Sequence, residues 1–358
     1  MNVLFMRGRI IYGGGEKVVN WLTKQLIENG DNVIYAISQY NDKYKTNLEK
    51  VGLKESVKVV IYNRTNKYKN IVKYFKEIKE IYTKNNIDVL IIFGGSLIEQ
   101  LIATHCGVRV VLSERCNPAS RSLLSQILKK IQYRFADGYV FQTPEASKYY
   151  GKRAEKIGTI IPNPIIDKLP EPQFEHLRKE IVSVGRLSEE KNHRMLIEAF
   201  ALFLKEHSDY KLVIYGSGPL KEKLLDLIRV KNIENSVNII SGKTNIIELI
   251  KGAELFVLPS NTEGMPNTLI EAMSMGLLSI STDCPIYGPR MLIKDGYNGY
   301  LTPIKDSISL YNRMSYAIDN KELAFNIRRN SVHIREILQA EKIAGKWITY
   351  INNVIIEK

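Results

Sequence analysis

The feature that most restricts the fold is a regular alternation of short apolar segments with longer segments of helical spacing. In the first half, six apolar segments have the length of strands. They cover residues 3–6, 33–37, 57–61, 89–93, 108–112 and 138–141. Segments of helical pattern near 14–29, 67–84, 96–105 and 119–135 lie between them. Nearly continuous apolar strands joined by helices are typical of a parallel sheet covered on both faces, so the sequence predicts an α/β fold.

The same alternation begins again in the second half. Its strands are predicted at 181–184, 211–215, 237–240, 255–258 and 278–280. Four prolines between Pro162 and Pro172 interrupt the chain, because proline continues neither a helix nor a central strand. A chain of 358 residues also exceeds one ordinary core. We therefore expect doubly wound domains at 1–165 and 166–340, with a last helix at 341–358 packing on the first domain.

The positive charge is concentrated in the first half. The formal charge is +13, and residues 1–165 hold 26 basic and 14 acidic side chains, against 25 and 24 in residues 166–358. An even distribution would indicate general solubility, whereas this asymmetry indicates that one domain meets an anionic surface.

Cysteine use and hydropathy limit the class of protein. Three cysteines without a Cys-x-x-Cys pair make a disulfide framework or a structural zinc site improbable, and they favour a reducing compartment. The N-terminal segment has no apolar core of a signal peptide. No apolar run approaches the ~20 residues of a membrane-spanning helix. We expect a cytoplasmic protein that is soluble or attached to a membrane surface.

A glycine-rich turn follows the first predicted strand. Residues 12–16 read Tyr-Gly-Gly-Gly-Glu and open a helix. Such a turn allows close approach of a ligand, and the free N–H groups of the helix start favour a phosphate or sugar diphosphate. Lys17 and Val18 exclude the dinucleotide fingerprint. A plain flexible turn is the alternative.

Two cations, Arg186 and Lys191, follow the first strand of the second half. The guanidinium of arginine can donate two parallel hydrogen bonds, and the ammonium of lysine acts as a point charge, so the pair could hold a diphosphate. A solvated charge cluster is the alternative, because Glu189 and Glu190 lie between them.

The segment Gly216-Ser-Gly-Pro219 follows the next strand. It predicts a tight turn followed by a helix that begins at Pro219. The backbone of such a turn could pack against a nucleoside. An ordinary turn into a helix is an equal alternative.

Two glutamates, Glu263 and Glu271, flank the start of another predicted helix. Pro266 suits the first turn of that helix, so the N–H groups of 267–269 should be unpaired and able to receive a phosphate. Glu271 could accept hydrogen bonds from ribose hydroxyls. Glu263 could meet sugar hydroxyls or a developing positive charge. Two ordinary surface glutamates are the alternative.

Taken in order along the chain, these segments resemble glycosyltransferase family 4, the retaining GT-B enzymes. The most specific stretch is 263–272, followed by 184–191 and 13–16, and residues 282–285 and 288–299 also match. The resemblance covers essentially the whole chain. It implies two Rossmann-like domains facing each other across a cleft, with the acceptor on the first domain and a nucleotide sugar on the second.

The resemblance also implies a role for each motif residue. Arg186 and Lys191 would hold the diphosphate, Glu271 the ribose, and Glu263 would lie at the transferred sugar, so that Glu263, Arg186 and Lys191 form the catalytic set. The other donor-binding residues implied are Gly14 and Gly15 at the distal phosphate, Gly216 and Gly218, Lys243 near the base, and Gly264, Met265, Pro266, Asn267 and Thr268.

The sequence contains no Asp-x-Asp, the usual carboxylate pair for a divalent cation at a nucleotide sugar. We therefore expect neither a metal nor another cofactor, and the leaving diphosphate would need protein cations and a helix start. In enzymes, each such preorganised donor stabilises the transition state by roughly 2.7–4 kcal/mol. Retention of anomeric configuration is implied by the resemblance only.

One loop departs from the family pattern. Many relatives have a histidine after the fifth strand of the first domain, where this chain has Glu114 and Arg115. The loop 112–118 resembles that of bacterial surface-polysaccharide and lipid-linked oligosaccharide enzymes, which often use UDP-sugars. Arg115 could contact a phosphate and Glu114 a sugar hydroxyl. A salt-bridged loop is the alternative.

Basic helical segments lie in the first half. Residues 58–84 hold eight basic and two acidic side chains, and 121–134 has an apolar stripe with Lys129 and Lys130 beside it. Basic amphipathic helices can lie on anionic lipid, unless their apolar stripes face the core. We expect a peripheral position on the inner face of the cell membrane and a lipid-linked acceptor, such as an undecaprenyl diphosphate oligosaccharide.

Three other functions are compatible with parts of the sequence. A GT-B nucleotide-sugar epimerase would need its own acid and base and no acceptor. A basic nucleic-acid-binding protein would leave the motifs unexplained, and no recognised nucleic-acid motif occurs, so we expect no nucleic-acid partner. An inactive scaffold would not need the intact Arg186, Lys191, Glu263 and Glu271.

Overall fold

The computed structural model describes residues 1–7, 14–38, 42–94 and 97–356. Its contacts divide the chain into two compact units. Unit 1 comprises Met1–Ile166 together with Ala340–Lys358, and unit 2 comprises Asp167–Gln339.

Unit 1 is built on a seven-stranded parallel sheet with the order β3-β2-β1-β4-β5-β6-β7. Its strands are β1 (Asn2–Arg7), β2 (Asn32–Ile37), β3 (Lys58–Ile61), β4 (Val89–Ile92), β5 (Arg109–Ser113), β6 (Gly138–Phe141) and β7 (Gly158–Ile160). The central strands are buried on both faces because every side chain of β4 and β6 is buried. This is the reason for their continuous apolar sequence.

Helices cover both faces of this sheet. They are α1 (Gly14–Glu28), α2 (Asp42–Lys50), α3 (Asn66–Lys69), α4 (Ile71–Lys84), α5 (Leu97–His105), α6 (Leu123–Arg134), α7 (Pro144–Tyr150) and α8 (Lys152–Ile157). On one part of the surface α5 packs against both α4 and α6, so these three helices are neighbours.

Unit 2 is built on a six-stranded parallel sheet with the order β10-β9-β8-β11-β12-β13. Its strands are β8 (Arg178–Val184), β9 (Lys211–Tyr215), β10 (Val237–Ile240), β11 (Ala253–Leu258), β12 (Leu278–Thr282) and β13 (Tyr300–Thr302). A continuous apolar core joins these strands to the helices that pack on them.

The helices of unit 2 follow the same alternation. They are α9 (His193–Phe203), α10 (Lys221–Val230), α11 (Ile246–Ile250), α12 (Asn267–Ser274), α13 (Ser307–Asp319), α14 (Lys321–Ser331) and α15 (Ile334–Ile337). The last helix, α16 (Ala340–Ile356), belongs to unit 1, where it contacts α1 and β5.

The predicted α/β class and all eleven predicted strands are confirmed. The sequence patterns missed β7 and β13, each of three residues, because such short strands give no usable periodicity. Among the described residues, no helix has both the length and the apolar character needed to cross a bilayer.

Three predicted helices have different boundaries. The helix predicted at 67–84 is divided at Asn70, whose backbone (φ −152°, ψ 87°) is not helical and whose side chain caps α4 by accepting from the N–H of Lys73. The helix predicted at 119–135 is preceded by a separate 3₁₀ turn, Pro118–Ser120. The helix predicted to open at Pro219 begins at Lys221.

Candidate functional site

The predicted donor segments of unit 2 lie at one edge of its sheet. Arg186 follows β8, Gly216 follows β9, Lys243 follows β10 and Glu263 follows β11. Because all these strands are parallel, their carboxyl ends share an edge, which is where doubly wound sheets bind ligands.

An ion pair joins two of the predicted catalytic residues at this edge. The Nζ of Lys191 lies 2.5 Å from Oε1 of Glu263. Ser260 donates its hydroxyl to the same oxygen at 2.6 Å. Glu263 is buried, whereas about a quarter of the Lys191 side chain remains accessible (26%). The pair therefore presents a fixed carboxylate with a partly accessible cation.

Asparagine side chains hold the two loops of this ion pair together. The backbone N–H of Asn261 donates to the carbonyl of Glu190 at 2.7 Å, and its side-chain amide donates to the carbonyl of Glu189 at 2.8 Å. Asn192 donates its side-chain amide to Asn261 at 3.1 Å. Asn192 has a left-handed backbone (φ 45°), which asparagine tolerates, and its side chain caps α9. These contacts fix the loop after β8 against the loop after β11.

Arg186 is exposed at the same edge. Its guanidinium forms no ion pair with a carboxylate in the described part of the chain, although Glu189 and Glu190 follow closely in sequence. Arg186, Glu189 and Glu190 are all exposed, so the geometry is also compatible with the alternative of a solvated charge cluster. Arg186 has its donors available for an anionic ligand.

The Gly216 and Gly218 positions are explained by close loop packing. A Cβ atom at Gly216 would lie 1.9 Å from the carbonyl oxygen of Gly185, and one at Gly218 would lie 2.4 Å from that of Leu187. The N–H of Leu187 also donates to the carbonyl of Ser217 at 3.0 Å. The close packing of these loops therefore accounts for both glycines without any contact to a nucleoside.

Helix α12 begins where the sequence predicts. Pro266 precedes it with an extended backbone (φ −78°, ψ 113°), and Asn267 is its first residue. Thr268 and Glu271 are both half-buried on this helix. Helix α12 therefore begins just after the loop that carries Glu263, and Glu271 lies about one turn inside it.

The remaining donor residues occupy the surrounding loops. Gly264 packs against Gly288, where an added Cβ would lie only 1.3 Å from the Gly264 carbonyl oxygen. Met265 is buried, and Lys243 is exposed after β10. The close contact between Gly264 and Gly288 fixes the backbone that leads into α12.

His193 and Ser260 were missed by the sequence patterns. His193 is almost fully buried (2% exposed), and its burial, with the charge of Lys191 as a second cause, lowers its pKa to about 4. It is therefore neutral at neutral pH. The sequence did carry a signal for His193, because this histidine stands two positions after Lys191 and is the first residue of a largely apolar helix.

In unit 1, Gly14 and Gly15 are the first residues of α1. A Cβ at Gly15 would meet nothing within 4 Å among the described residues. Glu16 forms an ion pair with Arg7 at the end of β1. The preceding Tyr12 and Gly13 of the predicted turn lie outside the described residues.

Arg115 lies in the loop after β5 as a half-buried cation. Its Nε donates to Ser113 at 2.8 Å and its Nη1 donates to Asn163 at 3.0 Å. The rings of Phe93 and Trp347 lie 5.1 and 5.3 Å from the guanidinium. Burial lowers its pKa to about 9, so the group stays charged at neutral pH. Within the described ranges Nη2 has no hydrogen-bond partner, which leaves one donor for an anion.

Glu114 is already engaged by its own neighbours. Nη1 and Nη2 of Arg121 donate to its two carboxylate oxygens, both at 2.8 Å. The hydroxyl of Tyr150 donates to it at 2.6 Å. Burial acts to raise the pKa of Glu114, but these hydrogen bonds outweigh it and lower the pKa. The geometry favours the salt-bridged loop over the predicted contact of Glu114 with a sugar.

Comparison with known proteins gives matches over the whole chain. The family model for glycosyl transferases group 1 matches residues 166–333. The chain is 30% identical over 303 residues to an uncharacterized glycosyltransferase of Methanocaldococcus jannaschii, covering 79% of this chain and 73% of the relative. It is 24% identical over 362 residues, 99% of each chain, to a Campylobacter jejuni enzyme. That enzyme is named GalNAc-alpha-(1->4)-GalNAc-alpha-(1->3)-diNAcBac-PP-undecaprenol alpha-1,4-N-acetyl-D-galactosaminyltransferase.

Among solved structures, HepE of Anabaena in complex with UDP superposes with a TM-score of 0.83. The match covers 99% of this chain and 100% of HepE at 16% identity. At 16% sequence identity, this similarity supports a conclusion about the fold only. It confirms the prediction of two Rossmann-like domains of the GT-B type.

Proposed function

The chain belongs to the glycosyl transferases of group 1, and on that premise we propose that it moves a hexose from a nucleotide diphosphate sugar to a saccharide acceptor. The observation that carries this proposal is the Lys191–Glu263 pair at the carboxyl edge of the unit 2 sheet, where Arg186 is exposed. These are the charges that the departure of a diphosphate from a sugar requires.

Unit 2 is the proposed donor site. Breaking the bond between the anomeric carbon and the phosphate oxygen leaves positive charge on the sugar and negative charge on the diphosphate. Arg186 and Lys191 stabilise the diphosphate, and the carboxylate of Glu263 stabilises the sugar. Lys191 has three N–H donors, so it can keep its contact with Glu263 while it donates to a phosphate oxygen.

The proposed donor site includes further contacts by the motif residues. Glu271 accepts from the ribose hydroxyls, and the start of α12 adds backbone N–H groups to the phosphates. Lys243 lies near the base, and Gly14 and Gly15 of unit 1 approach the distal phosphate. UDP is the proposed nucleotide, which is supported by the UDP complex of HepE and by the loop at Arg115.

Transfer is proposed to need no divalent metal and to retain the anomeric configuration. Arg186, Lys191 and the start of α12 supply the positive charge that a metal ion supplies in other transferases. Attack from the face that the diphosphate leaves, with the leaving phosphate accepting the proton of the acceptor hydroxyl, uses no side-chain base.

The proposed acceptor is a saccharide linked to a lipid diphosphate in bacterial surface glycan synthesis, bound by unit 1. Two observations support it. The Campylobacter relative is named for an undecaprenol-linked acceptor. The half-buried cation Arg115 keeps one donor without a partner in the described part of unit 1. An acceptor of this kind also agrees with the excess of +12 in residues 1–165, which suits an anionic cytoplasmic membrane surface.

Two measurements on the full chain test this function. A thermal-shift screen of UDP, GDP, ADP and CDP, followed by their sugars, should give the largest rise in melting temperature with uridine compounds, because a ligand of the folded state stabilises it. Mass spectrometry should then detect the acceptor with one added hexose unit. A free epimerised nucleotide sugar with an unchanged acceptor would contradict the transferase and support the epimerase, and no shift with any nucleotide would contradict both.

A further inference from the structure

The surface of α6 has an unusual distribution of side chains. Five of its apolar residues and the residue that follows it all face solvent: Leu123, Leu124, Ile127, Leu128, Ile131 and Phe135. Leu123 and Leu124 are 73% and 68% exposed, and the other four are between 38% and 50% exposed. Helical spacing puts these positions on one side of the helix. In a helix that covers a sheet, this side would normally face the core.

Polar side chains occupy the inner side of α6 instead. Gln126 donates to the carbonyl of Arg121 at 2.8 Å and accepts from the hydroxyl of Tyr149 at 2.6 Å. Lys129 donates to Gln132 at 2.7 Å, and burial lowers the pKa of Lys129. The contact between Gln126 and Tyr149 of α7 holds this side of α6 against unit 1, so the outward orientation of the apolar side is fixed by the fold.

Both ends of the helix are also anchored to unit 1. Arg121, just before α6, forms the buried ion pair with Glu114. Near the other end, the ring of Tyr133 stacks on that of Tyr150 with centroids 3.6 Å apart. Rotation of α6 to bury its apolar side would break these contacts. The apolar side is therefore a permanent surface of unit 1 that needs a partner.

The charges around this surface select the partner. The described helix α6 contains no acidic residue, and its Lys130 and Arg134 are exposed. Through α5 it adjoins α4, which exposes Lys73, Lys76 and Lys79 together with two apolar residues near its start. Although α4 also carries Glu77 and Glu80, cations are in excess over the two helices, and such an excess beside apolar side chains fits anionic headgroups above acyl chains.

The length of α6 decides how it would meet the lipid. Twelve residues of helix extend for about 18 Å, which is short of the ~30 Å of a hydrocarbon core. The helix therefore has to lie along the surface with its apolar side directed into the acyl region.

We propose that the apolar side of α6 inserts into an anionic phospholipid bilayer and is the segment that anchors unit 1 to the membrane. The proposal deepens the proposed function, because it names the surface through which the enzyme reaches a lipid-linked acceptor. It assigns insertion to α6 and attraction of the anionic headgroups to the lysines of α4.

Vesicle binding of the full chain tests the assignment. The test variant combines Leu124→Ser, Ile127→Ser and Leu128→Ser, and the matched control combines Val230→Ser and Ile337→Ser, two exposed apolar positions of unit 2. With mixed phosphatidylcholine and phosphatidylglycerol vesicles, the α6 variant should bind at least about tenfold more weakly than wild type, and the control within about twofold. Equal binding of the α6 variant and wild type would overturn the proposal.

Salt and lipid composition separate insertion from attraction. Raising NaCl from about 50 mM to about 500 mM should weaken binding of wild type without abolishing it, because screening removes only the electrostatic part. The variant Lys73→Gln, Lys76→Gln, Lys79→Gln should lose its preference for anionic over pure phosphatidylcholine vesicles. Equal binding of wild type to both vesicle types would overturn the role of anionic lipid.

Depth of insertion gives an independent reading. A tryptophan introduced by Leu124→Trp should shift its emission to the blue on vesicles and be quenched by brominated acyl chains, measured against the buried native Trp21 and Trp347. Sedimentation of a wild-type dimer that the α6 variant dissociates would overturn the proposal in favour of a contact between two copies. None of these assays uses a nucleotide sugar, so failure of docking and failure of sugar transfer are distinguishable.

Discussion

The amino group of Lys191 lies 2.5 Å from the carboxylate of Glu263, although 72 residues separate them in sequence. The loop after β8 carries the cation, and the loop after β11 carries the anion. Ser260 donates to the same carboxylate oxygen, so Glu263 is held by two contacts before any ligand binds. Under the proposed function, these opposite charges would stabilise the departing diphosphate and the sugar.

The charge of Glu263 should matter more for turnover than for stability. Glu263→Gln keeps the size of the side chain and an oxygen for Ser260, but it removes the negative charge. We expect transfer to fall at least about tenfold in kcat/KM, with a change in melting temperature below about 5 °C. Glu222→Gln, on the exposed side of α10, is the control. Wild-type turnover in Glu263→Gln would remove Glu263 from the catalytic set.

Two glycines should respond in opposite ways to the same substitution. Gly216→Ala forces a Cβ into the Gly185 carbonyl and should lower the free energy of unfolding by about 1–3 kcal/mol. Gly15→Ala, in the first turn of α1, meets no atom within 4 Å among the described residues and should be neutral or stabilising by up to about 1 kcal/mol. Urea denaturation measures both. If Gly15→Ala keeps the stability of wild type, a loss of sugar transfer would assign the glycine to close approach of the ligand, whereas full activity would contradict that role.

Stability should fall in acid through His193. Its pKa is 6.5 in the unfolded chain and about 4 in the fold, mainly because of burial and then because of Lys191. Between these values only the unfolded chain binds the proton, so stability decreases as pH falls below about 6.5 and levels off near pH 4. The loss attributable to this group is on the order of 3 kcal/mol.

The variant His193→Gln isolates this contribution from the carboxylates. Its free energy of unfolding should depend less on pH than that of wild type between about pH 6.5 and pH 4, measured by urea denaturation at several pH values. Parallel pH profiles for the two proteins would contradict the assignment.

Glu114 and Arg121 should stabilise the loop before α6. Glu114 is buried (4% exposed), so Arg121→Met leaves its carboxylate without its hydrogen-bonded cation and should cost about 3 kcal/mol of stability. Lys84→Met, which breaks the exposed pair with Glu80, is the matched control and should leave chemical denaturation unchanged. Equal effects of the two changes would mean that Glu114 is held by other contacts.

The sequence was sufficient for the architecture because burial acts on whole segments. The strand Val89–Ile92 is apolar at every position since it is covered on both faces, and the same pattern recurs along both sheets. The strand Tyr300–Thr302 was missed because three residues leave no pattern. Boundaries such as the break at Asn70 depend on one capping contact, which periodicity does not detect.

The site was only partly predictable, for a physical reason. Sequence order put Lys191 and Glu263 at strand ends, but their pairing depends on how the two loops pack. Periodicity likewise put the apolar residues of α6 on one side without indicating which side faces the sheet. The inward hydrogen bonds of Gln126 decide that orientation, and they appear only in three dimensions.

Titration of UDP into the full chain, in buffer with a metal chelator, tests the central claim most directly. Wild type and the control Arg194→Ala, an exposed arginine at the start of α9, should bind UDP with equal affinity. Arg186→Ala should bind at least about tenfold more weakly, because it removes a charge-assisted contact to the diphosphate. Wild-type affinity in Arg186→Ala, or no binding of UDP by wild type, would contradict a metal-independent diphosphate site at the carboxyl edge of the unit 2 sheet.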